Sequence, residues 1–224
     1  MSVWLVLPSA LPPEQADECF KLWSQQGYKL CIQRDPGHIY DSQYAHIMME
    51  RPYKGYPEAV NYLAKGVLAD DLDCNWIVAA GDDTHPDLSH TADEIADELT
   101  EFFHGTFGVC QPTGDRWSDH MGAIIERIAG SPWMGREWCE RANQGRGPMW
   151  PEFFHNWADQ FLQETAIKYG RFARRRDLIH YHNHSRRKGG QWKDHQRKFD
   201  ADYVKMKPLF EALKAAGFPG SEPL

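Results

Sequence analysis

Short apolar runs separated by amphipathic stretches divide the chain into alternating strands and helices. Val3-Trp4-Leu5-Val6-Leu7 reads as a buried strand closed by Pro8-Ser9. Pro12-Pro13 then opens a helix to Gln26, with Cys19, Phe20 and Trp23 on one face and Gly27 as its stop. Tyr28 to Gln33 is a second strand, delivering Arg34-Asp35-Pro36-Gly37. A strand, helix, strand unit of this length implies a right-handed parallel crossover. Residues 38–56 show no period. From Pro57, Ala59, Tyr62, Leu63 and Val67 recur at helical spacing and lead through Asp70-Asp71 to an apolar strand, Trp76-Ile77-Val78-Ala79-Ala80. Thr91-Ala92-Asp93-Glu94 is a capping-box pattern. It opens a helix with Ile95, Leu99, Phe102 and Phe103 as its buried stripe and Gly105 as its C′ residue. Phe107 to Cys110 is a further strand, and a Gly/Pro/Trp-rich loop region follows to Pro151. Pro151 to Tyr169 reads as an amphipathic helix (Phe154, Trp157, Phe161, Leu162), Asp177 to His184 as a late strand, and Phe199 to Ala216 as a final helix broken at Pro208. The alternation predicts one α/β domain: a Rossmann-like, mixed but mostly parallel sheet flanked by helices, with a C-terminal helix.

Composition narrows the class. The 224 residues suit one sizeable domain, and 42% hydrophobic with 25% charged is ordinary for a globular protein. No apolar run reaches membrane-spanning length, and Val3 to Leu7 reads as a strand rather than a signal peptide. Cys19, Cys31, Cys74, Cys110 and Cys139 are scattered without paired spacing, which fits reduced thiols used in packing. A cytoplasmic location is therefore expected, in a host cytoplasm if the chain is phage-encoded. The net charge of −7 is uneven: residues 171–198 hold ten Lys/Arg against two Asp, a local +8 that leaves −15 elsewhere. The acidic remainder speaks against general nucleic-acid coating, while the basic segment permits a phosphate-rich ligand at one place.

Two stretches carry candidate chemistry. The strand at Trp76 stops at Gly81 and presents Asp82 and Asp83 side by side, with Asp87 after Pro86. In open α/β sheets ligands sit beyond the carboxyl ends of the strands, and adjacent acids there call for a positive partner. A divalent cation, Mn²⁺ or Mg²⁺, shared with phosphate oxygens is the simplest. A solvated acidic turn is the plainer alternative. In Leu178-Ile179-His180-Tyr181-His182-Asn183-His184, alternation along a strand would put His180, His182 and His184 on one face. His182 and then His180 are the candidate metal ligands.

With these features in place, the chain resembles the nucleotide-sugar glycosyltransferases of the GT-A fold. The features are a first strand ending in Pro-Ser, a second ending in Arg-Asp, a helix holding Asn61 before an apolar strand with terminal Asp-Asp, and a late His-rich strand. The resemblance spans roughly residues 3–190 as an order of features, and a phage-type DNA-modifying enzyme is one version of it. It implies that the family's Asp-x-Asp element falls at Asp82-Asp83, adjacent here rather than separated. Asp83 would then meet the ion, and Asp82 the ribose or the metal shell. It further implies a nucleotide-sugar donor, most simply a UDP-sugar: Ser9 on the nucleotide, Arg34 or Asp35 on the base, and Lys54, Tyr56 and Asn61 on the ribose or pyrophosphate. Residues 1–110 would form the nucleotide-sugar half, 111–198 the acceptor side, and 199–224 the last helix. Arg186, Arg187, Lys188 and Lys193, around Gly189-Gly190, would make a basic lid over the diphosphate, or else a solvated connector. For the acceptor-side acid the family implies a carboxylate at a helix start: Asp159, with Glu152 and Glu137 as competitors.

The acceptor is open between two chemistries. Arg171 and Arg174-Arg175-Arg176, with Trp117, Trp133, Trp138 and Trp150, suit a splayed-out hydroxymethylated base in DNA. The same Trp residues suit stacking on a glycan or a lipid-linked sugar. Two other functions compete. A metal-dependent phosphoesterase would use Gly81-Asp82-Asp83 and His180-Tyr181-His182, yet no Asp-x-His precedes them and no Gly-Asn-His follows. A non-enzymatic nucleic-acid module built on residues 171–198 leaves the Asp-Asp strand without a purpose, and the acidic remainder would repel a phosphate backbone.

Overall fold

A computed structural model describes residues 1–112, 130–182 and 194–224, with side chains of 194–200 excepted. In chain order its elements are β1 (Ser2–Pro8), α1 (Pro13–Gln25), β2 (Lys29–Arg34), β3 (Ile47–Glu50), α2 (Tyr56–Asp70), β4 (Cys74–Ala79), β5 (Thr84–His85), α3 (Ala92–Phe103), β6 (Val109–Pro112), β7 (Trp133–Gly135), α4 (Arg136–Gly145), α5 (Ala158–Lys168), β8 (Phe172–Arg175), β9 (Tyr181–His182) and α6 (Asp194–Ala215). Seven strands form one sheet in the order β3-β2-β1-β4-β7-β6-β8, and β5 pairs with β9 apart from it. Among the seven, β7 alone runs against its neighbours β4 and β6. The other pairings are parallel.

Period-two alternation divides the core between the two faces of the sheet. From β1 and β4, Val3, Leu5, Leu7, Trp76 and Val78 face the cluster under α1 and α3, with Phe20, Trp23, Ile95 and Leu99. Trp4, Val6, Ile77 and Ala79 face the other cluster, which holds Val60 and Leu63 of α2, Trp138 of α4, Phe161 of α5 and Phe210 of α6. The capping box on α3 forms as its residues predict: Thr91 accepts from the Glu94 amide, and Glu94 accepts from Thr91. All five cysteines are free and buried. Burial pushes the thiols of Cys19, Cys31, Cys74 and Cys110 up to about 12.

The structure corrects several sequence-based boundaries. The stretch 38–56 contains β3, an edge strand whose half-exposed Ile-Met-Met-Glu shows no period of its own and is held by its pairing with β2. The Gly/Pro/Trp-rich region contains β7 and α4. The helix predicted from Pro151 begins only at Ala158, because Trp157 adopts a left-handed backbone (φ 73°) that no helix passes through. Asp177 to His184 is not one strand: β8 lies earlier, and within 177–182 only Tyr181–His182 pair. Gly105 follows α3 as its C′ residue, and the left-handed turn itself falls at the C-cap, His104 (φ 55°). Finally, α6 runs through Pro208 unbroken. Pro208 is on the exposed side beside exposed Val204, so water can reach the carbonyl its ring deprives of a partner.

Candidate functional site

The carboxyl ends of β1, β2 and β4 meet at one edge of the sheet, and the predicted donor-side residues are distributed along it. After β4 the chain turns at Gly81, where a Cβ would stand 2.8 Å from Asp83 Oδ1. Glycine thus leaves room for the Asp83 carboxylate to fold back over the turn. Asp82 points the other way. Its Oδ2 accepts from the amides of Ala10 (2.9 Å) and Leu11 (3.1 Å), holding the turn that follows β1.

Asp83 faces the late histidine. Thr84 of β5 pairs with His182 of β9, which brings His182 Nε2 to 3.1 Å from Asp83 Oδ1. Beneath them the Thr84 carbonyl accepts from Trp23 Nε1 (2.8 Å) and Cys19 Sγ (3.3 Å). His180 does not share this face. It is fully buried, its ring edge-on to Trp23, with Nδ1 and Ser131 Oγ 2.9 Å apart. The alternation expected of a longer strand fails because the pairing begins only at Tyr181.

A separation of 3.1 Å also tests whether a metal fits. Two neighbouring ligands of a six-coordinate ion, each at about 2.1 Å, lie about 3 Å apart. A carboxylate with an imidazole is a fitting partial shell for Mn²⁺, and substrate oxygens ordinarily complete such shells. Among the described residues no cluster of three or more His, Cys, Asp or Glu stands ready for an ion. His184 lies outside the described residues.

Ser9, Ala10, Arg34, Asp35 and His38 line a cavity of about 80 Å³ between the ends of β1 and β2. Arg34 is only 4% exposed, donates through Nη1 to Ser9 Oγ (3.2 Å) and lies over the Tyr40 ring (5.1 Å). Its buried Nε has no hydrogen-bond partner among the described residues. Asp35 Oδ1 accepts from the Tyr53 amide at 2.7 Å. Ser9, Arg34 and Asp35 were predicted from sequence. His38 and Tyr40 were missed, and the unusual Tyr, His and Met content of 38–56 was the only signal for them.

The remaining candidates scatter. Lys54 is exposed just before α2, whose first turn reaches the same edge because α2 runs back toward the start of β4. Tyr56 opens that helix, its amide donating to the Phe154 carbonyl (2.7 Å). Asn61 lies deeper and is engaged: its side chain donates to the Met149 carbonyl (2.8 Å) and accepts from the Met149 amide (2.9 Å). Asp159 stands in the first turn of α5, which starts at the carboxyl edge and runs toward the beginning of β8. Glu152 is bound to Arg146 (2.9 Å). Glu137 lies at the opposite edge, its amide near Thr106 ahead of β6 and its carboxylate 3.7 Å from Arg141. Arg186 and Lys188, with Arg187, Lys193 and Trp117, fall outside the described residues.

The acceptor-side expectations change more. Trp133, Trp138 and Trp150 are buried in the core, so none offers a stacking face. Arg175 is neutralised by Asp177 (2.6 Å) and Glu98 (2.5 Å). Phe154, 38% exposed and edge-on to Tyr53 at 5.9 Å, is an accessible aromatic near Asp35 instead.

No family model matches the chain, and no curated protein matches it in sequence. Its fold does match solved structures. A197 from STIV is 10% identical at a TM-score of 0.50, with 81% of this chain and 85% of that one covered. The catalytic domain of Drosophila β1,4-galactosyltransferase 7, solved in complex with xylobiose, is 12% identical at a TM-score of 0.50, with 88% and 78% covered. The mixed seven-stranded sheet with helices on both faces and a C-terminal helix is thus the GT-A arrangement, and the resemblance to nucleotide-sugar glycosyltransferases holds at the level of fold. No helix among the described residues is long and apolar enough to cross a membrane.

Proposed function

We propose that the chain is a metal-dependent glycosyltransferase that moves a sugar from a nucleotide sugar, most simply a UDP-sugar, to an acceptor hydroxyl. The observation that carries the reading is the 3.1 Å approach of His182 to Asp83 at the carboxyl end of β4, beside the Arg34 cavity and within this fold. In it, Asp83 and His182 hold Mn²⁺ or Mg²⁺. A divalent ion there neutralises charge on the leaving diphosphate without moving a proton. Ser9, Arg34 and Asp35 receive the nucleoside end, Asp82 keeps the turn after β1 in place for it, and Lys54 stands at the rim for the phosphates.

The transfer forms a bond from the acceptor oxygen to the sugar's anomeric carbon and breaks the bond to the diphosphate, which leaves with the electron pair. In an inverting transfer the acceptor proton passes to a carboxylate. Asp159, in the first turn of α5 at the carboxyl edge, suits that role better than Glu137, which lies at the far edge. Of the two acceptors the residues suggest, the described ones favour a glycan over a hydroxymethylated DNA base. Three of the Trp residues that recommended DNA are core, and Arg175 is paired.

The test is a thermal melt with UDP and Mn²⁺ together, followed by donor hydrolysis across nucleotide sugars. Binding to the folded state raises the midpoint. Wild type should shift and Asp83→Ala should not. An equal shift in both would remove Asp83 from the site, and a salt-sensitive shift with DNA alone would favour the binding module.

A further inference from the structure

Asp87 is charged, buried and separate from the donor and metal residues just described. It is 4% exposed, yet three donors converge on it. Oδ1 accepts from the Ser89 amide (2.7 Å) and meets His90 Nδ1 (2.9 Å), while Oδ2 accepts from the Ile179 amide (2.6 Å). Burial opposes its ionisation, but the bonds from Ile179, His90 and Ser89 outweigh it and hold the carboxyl below the ordinary carboxylate range. A buried carboxylate satisfied in this way is costly to disturb.

Its partners lie on the two segments whose alignment makes the metal site. Ser89 and His90 continue the turn that leaves β5, six and seven residues after Asp83. Ile179 is three residues before His182. Between these segments the β5–β9 ladder comprises, among the described residues, two residue pairs, Thr84 with His182 and His85 with Tyr181. An isolated two-stranded pairing is marginal at best, so its register must be set from outside. Leu178 and His180 turn inward on either side of Ile179 and fix how deep the segment lies. The Asp87–Ile179 bond ties its backbone to the segment that leaves β5 and so bears on where it lies along β5. A slip of one residue would replace His182 opposite Thr84 with a neighbour and carry the imidazole away from Asp83.

We infer that Asp87 is a positioning residue for the metal site: through the Ile179 amide it sets the register that keeps His182 against Asp83. The inference rests on the glycosyltransferase reading for its consequence, though not for its geometry. The experiment compares wild type, Asp87→Ala, Asp87→Asn and Asp71→Asn, the last being a destabilising change at the opposite edge. Mn²⁺ affinity is measured in the presence of UDP, and amide hydrogen exchange is followed at residues 179–182. Asp87→Ala should weaken Mn²⁺ binding about ten-fold, the lower end for changes behind a metal ligand. Asp87→Asn, which keeps one acceptor oxygen, should fall between, and Asp71→Asn should match wild type. His182→Ala should weaken binding in wild type and add little in Asp87→Ala. Exchange at 179–182 should speed up in the Asp87 variants alone. Mn²⁺ affinity within about two-fold of wild type in Asp87→Ala, or full additivity with His182→Ala, overturns the inference. Failure of wild type to bind Mn²⁺ with UDP sinks the functional reading instead, and unchanged exchange at 179–182 then sinks the positioning role as well.

Discussion

The two edges of the sheet treat their acids differently. At the amino edge the Asp71 carboxylate accepts from Ser2 Oγ (2.8 Å), Trp4 Nε1 (2.9 Å), Lys29 Nζ (2.8 Å) and the Asp73 amide (3.0 Å). Its own carbonyl receives Arg136 at 3.2 Å. The bond with Lys29 chiefly, against the cost of burial, holds its carboxyl far below the ordinary range. At the carboxyl edge Asp82 and Asp87 are likewise closed on backbone amides, Asp87 with His90 as well, while Asp83 meets His182 of the late strand and Arg34 lines a cavity. Asp71 and Asp82 tie segments of the fold together. The acid held against the late imidazole, together with a buried arginine whose Nε has no hydrogen-bond partner among the described residues, marks where something else is expected to bind.

That contrast can be broken from either side. The largest effect should come from Asp83→Ala, which should lower sugar transfer by about a hundred-fold or more, read as initial rates at saturating Mn²⁺, with the melting midpoint of the unliganded protein little changed. Next, Asp71→Ala should cost about 2–3 kcal/mol of stability by denaturant titration, since it strands several donors, and should leave UDP affinity as it was. Arg34→Ala should weaken UDP binding about ten-fold without matching loss of stability, the converse pattern. The pH response sharpens the same point. Asp71 and Asp87 are both depressed, so their stabilisation is complete above the ordinary value of 3.8 and is lost as pH falls through their lower folded values. The gap in stability between wild type and Asp71→Asn should therefore be constant from neutral pH down to about 5 and shrink below about 4. Smallest of all, Glu137→Gln should alter transfer by less than about two-fold, because an exposed ion pair at the wrong edge contributes little.

The first half of the chain was legible because local signals and long-range packing agree there. Strands β1, β2 and β4 are apolar runs, Pro13 and Thr91 open their helices, and Gly27 ends one. Asp83 and His182 were singled out from acids at a strand end and an alternating His strand, and they lie 3.1 Å apart although only Tyr181–His182 of that strand pair. What stayed hidden is set by tertiary contacts alone. Strand β7 is three residues long, and its last, Gly135, is needed because a Cβ there would stand 1.9 Å from the Thr106 carbonyl oxygen. No period within three residues could announce that. His180 turned inward because a hydroxyl from Ser131 and the edge of Trp23 await it, partners distant in the chain. The bonds of Asn61 to Met149, 88 residues away, were hidden for the same reason.

The buried thiols have a practical consequence. With all five cysteines enclosed and four of them raised to about 12, none should react quickly with a maleimide near neutral pH. One cysteine placed at an exposed position beside the site, such as Leu88→Cys, would then be the single fast handle for a fluorophore, and donor docking could be watched on the otherwise native chain.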